Sequence, residues 1–363
     1  MEALVSGVWS RRRVLVTGHS GFKGSWLSLW LHALGAEVTG FALPPPTRPS
    51  LFEAARLDGV LTHIEGDVRD LGAVRAAVEA ARPEIIFHLA AQPLVRLSYE
   101  QPVETYATNV MGTVHLLECA RLAPSVRAVV CVTSDKCYEN REWVWPYREC
   151  DPVGGHDPYS SSKGCAELVA AAYRRSFFAE GPLLATVRAG NVIGGGDWAA
   201  DRLVPDLVRA FEAGEAPLIR SPDAVRPWQH VLEALGGYLA IAEQLLEGEA
   251  RFADAWNFGP SEEDARPVSW IVDRMRACWG QGADAPQPQS GPRPHEAAQL
   301  RLDCSKVRAA LGWQPALALG DALQWVVAWH KAVAAGEDPR RVTLSQIADY
   351  AALSSTAGSR LAA

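Results

Sequence analysis

A doubly wound, parallel α/β sheet with a smaller, mostly helical C-terminal substrate domain is predicted by three observations. Through the first half, short apolar runs alternate with stretches whose apolar residues recur at helical spacing. Those runs are apolar at every position rather than at alternate ones, so helices must cover both faces of the sheet. From about Gly194 the rhythm gives way to Gly- and Pro-rich connections and further helices.

The elements follow in order. "RVLVTG" reads as the first strand, and "FKGSWLSLWLHALG" as a helix closed by Gly35. "EVTGFAL" is a second strand, stopped by Pro44, Pro45 and Pro46. "LTHIEGD" then gives a strand, "LGAVRAAVEAA" a helix and "EIIFHLAA" another strand. One long helical pattern runs from about Tyr99 to Arg121, followed by the strand beginning "VVCV" at Val129. A helix from about Tyr159 to Phe178 and a sixth strand, "LLATVRAGNV", complete this half. Beyond it, helices are expected around Leu203–Glu212 and Val231–Leu246, then in "SWIVDRMRACWG", "LRLDCSKVRAALGW" and "ALQWVVAWHKAV". The spacing therefore predicts a dinucleotide-binding domain over residues 1–190, to which the chain returns around 228–260. Residues 191–227 and 261–363 form the substrate domain, closing over the carboxyl edge of the sheet, where ligands sit in open α/β folds.

Composition narrows the class. The 363 residues are 48% apolar and 21% charged, an ordinary globular balance that fills one enlarged domain or two. A formal charge of −7 excludes the basic face that sequence-independent nucleic-acid binding needs. Arg11, Arg12 and Arg13 read as a solvated lead-in to the first strand. The apolar run after them ends at Gly18, too short for a signal-peptide core or a membrane span. Seven scattered cysteines with no C-x-x-C pair suit reduced thiols, not a disulfide framework or a metal site. The expectation is a cytoplasmic protein with no metal and no membrane contact.

Gly18, Gly21 and Gly24 form G-x-x-G-x-x-G between the first strand and the first helix. Glycines there permit a tight turn, close approach of a pyrophosphate and helix–strand packing, while the helix N-terminus supplies amide donors. This is the dinucleotide site of a Rossmann sheet. Asp67, ending the third strand, either holds the adenine amino group or caps the next helix. The second-strand carboxylate that usually takes the ribose hydroxyls is missing, since "VTGFALPPP" holds no Asp or Glu. Lys23, Arg48 and His19 offer charge for a 2′-phosphate instead, so these residues leave both NAD and NADP open.

Tyr159 and Lys163 stand four apart in "YSSSK", on one face of a helix start. A phenol of pKa near ~10 is a poor base at neutral pH, and a nearby ammonium is expected to favour phenolate. Thr133, ending a neighbouring strand, is placed to share a substrate proton. That strand then runs into Asp135 and Lys136, an acid beside an amine.

At this point the chain resembles a known family. "TGHSGFKG", "GDVRD", "HLAAQP", "TNVMGT", "TSDK" and "YSSSK" are similar to the extended short-chain dehydrogenase/reductases, and within them to the nucleotide-sugar 4,6-dehydratases. "RAGNVIGGGDWAADRLVPD", "VRPWQHV" and "PHEA" extend the likeness over essentially the whole chain. The resemblance implies a lyase that oxidises an NDP-glucose at carbon 4, removes water across carbons 5 and 6, and returns the hydride to carbon 6. Tyr159, Lys163 and Thr133 serve carbon 4. Asp135 matches the acid, and Lys136 stands where relatives acting on dTDP-sugars carry Glu. A lysine of pKa ~10.4 must drop by roughly three to act as a base near pH 7, about 4 kcal/mol; the alternative is that Lys136 merely pairs with Asp135. "TSDKCYEN" and "HSGFKG" are most similar to members acting on CDP-glucose.

The matched motifs further imply that His19, Phe22, Lys23, Val68, Leu89, Ala90, Gln92 and Thr108 join the glycines and Asp67 around the cofactor. Asn191, Arg202, Arg226, His230, Arg293, His295 and Glu296 are the corresponding substrate candidates, the arginines suiting phosphate oxygens. Trp143, Trp145, Trp198 and Trp228 divide between packing and stacking on a base. The apolar helix "ELVAAAYRRSFF" implies a homodimer or larger homo-oligomer.

Overall fold

The computed structural model describes residues 7–280, 283–288 and 299–361. From the N-terminus, β1 (Arg13–Thr17) leads into α1 (Phe22–Ala33), β2 (Glu37–Ala42), a short α2 (Leu51–Ala54), β3 (Thr62–Glu65), α3 (Leu71–Ala81) and β4 (Ile85–His88). Three helical pieces follow, α4 (Val95–Glu100), α5 (Pro102–Tyr106) and α6 (Gly112–Leu122), then β5 (Ala128–Val132), α7 (Pro158–Ser176) and β6 (Leu183–Ala189). The chain continues through β7 (Asn191–Ile193), α8 (Leu203–Ala213), β8 (Leu218–Ile219), β9 (Val225–His230), α9 (Val231–Leu246) and β10 (Ala255–Phe258). It ends with β11 (Ala265–Pro267), α10 (Val268–Trp279), β12 (Gln287–Pro288), α11 (Ser305–Leu311), α12 (Leu319–Ala334) and α13 (Pro339–Leu361).

The central sheet is seven-stranded, in the order β3-β2-β1-β4-β5-β6-β10, and every neighbouring pair is parallel. Strand order reverses between β1 and β4, which opens a crevice at the carboxyl ends there. The uninterrupted apolar strands now have their reason. Val14, Val16, Ile85, Phe87 and Val130 face α1 and α9, while Leu15, Ile86, Val129 and Cys131 face α3, α6 and α7. A third apolar core joins α8, α10 and α12 through Leu207, Phe211, Ile271, Met275, Leu323 and Val326.

Local chemistry sets the ends that matter for the crevice. Asp157 accepts from Ser160 N at 2.9 Å and precedes Pro158, so α7 starts sharply and carries Tyr159 in its first turn. Asp70, not Asp67, caps α3, accepting from Gly72 and Ala73.

Two expectations are corrected. The long helix expected from Tyr99 to Arg121 is broken, because Pro102 starts a new helix and a wide turn over Ala107–Met111 precedes α6. The single sixth strand divides at Gly190, where a Cβ would lie 2.3 Å from Pro227 Cγ. β6 stays in the central sheet, whereas β7 leaves it to pair with β9, which also pairs with β11. α13, which the apolar pattern does not announce, packs on α12 and α1, its Tyr350 ring against Trp30.

Candidate active site

The carboxyl ends of β1, β4, β5 and β6 and the segment from β7 to β9 enclose a cavity of about 1430 Å³. Its floor at β1 is glycine-built. Gly18 has φ +74, and a Cβ there would lie 2.7 Å from Ala90 N, while one on Gly24 would strike Gly18 O at 2.2 Å. A Cβ on Gly21 would meet only Gly18 O, at 3.4 Å, so this face is bare toward the cavity. Gly21 also caps α1 without a side-chain acceptor, leaving the first amides of the helix for an anion. These residues fit the pyrophosphate of a dinucleotide.

Phe22, Lys23, Asp67, Val68, Leu89, Ala90, Gln92 and Thr108 line the same cavity. Gln92 is held by Thr105 and Asn109. Asp67 is gripped by Arg69 at 2.6 and 2.8 Å, and this pair holds its carboxyl below the usual value. His19 is a correction. Its side chain turns under β2 against Gly40 and bonds His63 at 2.8 Å, and burial drives its pKa down to about 4. Lys23 is a second correction, since it stands at the catalytic end, with Nζ 5.7 Å from the Tyr238 ring centre, rather than where a 2′-phosphate would bind. Arg48 lines the cavity beyond β2, 3.8 Å from Glu53.

Thr133, Asp135, Lys136, Tyr159 and Lys163 converge on one wall. The ammonium of Lys163 donates to Val132 O at 3.3 Å, and burial lowers its pKa to about 8 against the opposing influence of Cys131 and Glu167. Tyr159 goes the other way from expectation. Burial pushes its hydroxyl up to about 12 despite a hydrogen bond with Ser134, so these surroundings favour a protonated phenol. Desolvation penalises phenolate more than the surrounding charges favour it.

Asp135 is 2% exposed, with one oxygen accepting from Ser134 Oγ at 2.9 Å and the other unpartnered among the described residues. Burial raises its pKa, opposed by Lys136, Ser134 and Arg226, which suits a carboxyl that must hold and deliver a proton. No ion pair joins Lys136 to Asp135, although the lysine charge is the foremost influence opposing that rise, and Lys136 lines the cavity. Lys23 is brought down to about 7 by burial, with Arg202 and Lys163 adding repulsion and Asp135 opposing.

On the opposite side, Asn191, Arg202 and Arg226 line the cavity, and Arg202 pairs with Asp197 at 3.1 Å. Trp198 and Trp228 also line it, the indole N–H of Trp228 having no partner among the described residues, whereas Trp143 and Trp145 meet edge to face in a loop outside it. His230 is corrected: it is fully buried, caps α9 by accepting from Leu232 N, and lies between Trp26 and Trp325. Arg293, His295 and Glu296 lie outside the described residues. Sequence reasoning missed Ser134, Arg220 and Asp197, which line the cavity, and Glu167, which lies behind Thr133. Glu167 alone carried a legible signal, its spacing of four from Lys163. Among the described residues no cluster of His, Cys, Asp and Glu is poised to hold a metal.

The GDP-mannose 4,6 dehydratase family model matches residues 15–325. The chain is 56% identical over 349 residues to CDP-glucose 4,6-dehydratase of Salmonella typhimurium, covering 94% of this chain and 97% of the relative. It is 28% identical to UDP-glucose 4-epimerase of Mycolicibacterium smegmatis, over 86% and 96% of the two chains. The fold is that of a dTDP-glucose 4,6-dehydratase from Streptomyces venezuelae solved with NAD, with TM-score 0.77, 24% identity and 90% and 99% coverage. By family match and by identity alike, the chain belongs to the GDP-mannose 4,6 dehydratase family.

Proposed function

We propose that this protein is a hydro-lyase that converts CDP-glucose to CDP-4-keto-6-deoxyglucose. One observation carries the reading: a buried acid, Asp135, and a cavity-facing amine, Lys136, stand on the same wall as Tyr159, Lys163 and Thr133. An epimerase, the second reading, exchanges hydride at one carbon and has no use for that acid–amine pair. The nucleotide is inferred from the 56% identity to the Salmonella enzyme.

NAD, when bound, supplies the acceptor for the hydride of carbon 4 and the donor that later reduces carbon 6. The glycine loop, α1 and Asp67 would hold it. Tyr159 takes the proton of the 4-hydroxyl, and the positive charges of Lys163 and an oxidised nicotinamide favour the phenolate that burial alone suppresses. Lys136 removes the proton at carbon 5, which the new ketone has acidified. Asp135 gives its proton to the leaving 6-hydroxyl. Arg202 and Arg226 grip the substrate pyrophosphate, and Trp198 or Trp228 meets the base.

The division into residues 1–190 with 228–260, and 191–227 with 261–363, assigns the dinucleotide to the first part and the sugar nucleotide to the second. Val103, Met111, Leu168 and Phe177 are exposed on the adjoining α5, α6 and α7 region, which supports a homodimer through that face. Among the described residues no helix is long and apolar enough to cross a membrane, and the protein acts in the cytoplasm, where its cysteines stay reduced.

The test is a panel of CDP-, dTDP-, UDP- and GDP-glucose, followed by the alkali-induced absorbance of 4-keto sugars. CDP-glucose should turn over far faster than the others. Equal turnover of dTDP-glucose would refute the nucleotide assignment, and interconversion of hexose epimers without keto product would favour the second reading.

A further inference from the structure

Behind the catalytic wall lies a buried acid that the reaction scheme does not use. Glu167 sits on α7, four residues beyond Lys163 and eight beyond Tyr159, and is 5% exposed. Its carboxylate receives Thr133 Oγ1 at 2.5 Å, Thr186 Oγ1 at 2.8 Å, and Arg188 through Nε at 2.9 Å and Nη2 at 2.8 Å. Burial alone would raise its pKa, but Arg188 and the two threonine hydroxyls bring it below the usual carboxylate value. The group is a fixed anion, and therefore an acceptor only.

The consequence falls on Thr133. A hydroxyl has one proton to give and two lone pairs. Among the described residues, the two protein partners of Thr133 Oγ1 are the Glu167 carboxylate and, at 3.4 Å, the carbonyl of Val187. Neither can donate. The threonine proton is thus committed away from the cavity, and what Thr133 presents to a ligand is a lone pair. Such a group accepts from the 4-hydroxyl of a sugar alcohol and offers nothing to the oxygen of a 4-ketone, which is itself an acceptor.

We propose that Glu167 is a positioning residue that fixes Thr133 as a hydrogen-bond acceptor, so that the site favours the 4-hydroxyl sugar over its 4-keto form and leaves the hydroxyl of Tyr159 as the donor to the ketone. This rests on the dehydratase reading above. It gives the pair a direction: the one proton of the 4-hydroxyl is shared between two acceptors, Thr133 and the Tyr159 phenolate, whereas a ketone meets a lone pair at Thr133 and finds its only donor at Tyr159, which eases departure of the keto product.

The experiment measures equilibrium binding of CDP-glucose and of CDP-4-keto-6-deoxyglucose to the holoenzyme carrying Tyr159→Phe, in which turnover is suppressed and Thr133 is left as the hydroxyl at oxygen 4. Adding Glu167→Gln supplies an amide that can donate to Thr133 Oγ1 and releases the threonine proton toward the ligand. The ratio of ketone affinity to alcohol affinity should then rise about three- to tenfold, the effect of one net hydrogen bond. A merely structural role for Glu167 would weaken both ligands alike and leave the ratio unchanged, which would overturn the proposal. If Glu167→Gln does not fold, Thr133→Val decides the matter. Loss of an acceptor weakens CDP-glucose and spares the ketone, whereas loss of a donor weakens the ketone and refutes the inference. Failure of CDP-glucose to bind at all, with another NDP-glucose binding in its place, would instead count against the substrate assignment.

Discussion

Lys23→Met tests the electrostatics of the cavity on the folded state itself. Methionine keeps the length and the apolar stem and removes the amine, which makes no hydrogen bond or ion pair among the described residues and faces the Tyr238 ring at 5.7 Å. Burial, with Arg202 and Lys163 nearby, depresses the lysine from 10.5 to about 7. At ~1.4 kcal/mol per pH unit this corresponds to about 5 kcal/mol, and solvent reaching the cavity reduces it to about 2–4 kcal/mol. The folded pKa lies below the unfolded one, so the penalty is full below pH 7, where both states carry the charge. Above about pH 7 the folded amine is neutral while the unfolded one stays protonated, and the penalty shrinks until it vanishes above pH 10.5. Urea unfolding of nucleotide-free wild type and variant at pH 6, 7, 8 and 9 reads this directly. The variant should be more stable at pH 6 and 7, and its advantage should fall by roughly 1–3 kcal/mol between pH 7 and 9. A difference that is flat with pH, or that grows toward pH 9, would refute the assignment of a strained, titrating amine.

Two further substitutions address the chemistry. Tyr159→Phe removes the hydroxyl and keeps the ring, and should slow oxidation at carbon 4 by about 10²–10⁴-fold with unchanged thermal unfolding; a rate within a few-fold of wild type would mean that another group takes the proton. Lys136→Met should still produce reduced-nicotinamide absorbance with substrate, then stall before water is lost, with no solvent deuterium entering carbon 5. Normal dehydration with deuterium uptake would exclude Lys136 as the base, and absence of any reduced cofactor would place it in binding.

What the sequence made legible was the part governed by local pattern. The runs "VLV" and "AVVCV" are apolar at each position because successive residues enter different cores, and α9 begins and ends at the expected Val231 and Leu246. What stayed hidden depends on partners distant in the chain. Gly190 ends a strand because Pro227 approaches it, a contact across 37 residues that no local signal carries. His19 and His230 sit in motifs that the family resemblance ties to ligand binding, yet a motif does not say which way a ring turns, and both rings pack inward. Tyr159 stood at a recognisable spacing from Lys163, but the balance of burial against charge that fixes its proton exists only in the assembled wall.

The passage of β6 into β7 has a mechanical side. Val187, whose carbonyl receives the amide of Thr133 at 3.0 Å, and Gly190, where the backbone changes sheets, belong to one short span of chain. On the proposed reading, a nucleotide gripped by Arg226 on β9 would draw on β7, the strand paired with β9, and β7 on the peptide that holds Thr133. The span works as a tether between the part of the ligand that is recognised and the part that reacts. Grip on the diphosphate would then be converted into alignment at carbon 4, and glucose 1-phosphate, which lacks the nucleoside and one of the two phosphates, should lose rate of hydride transfer as well as affinity.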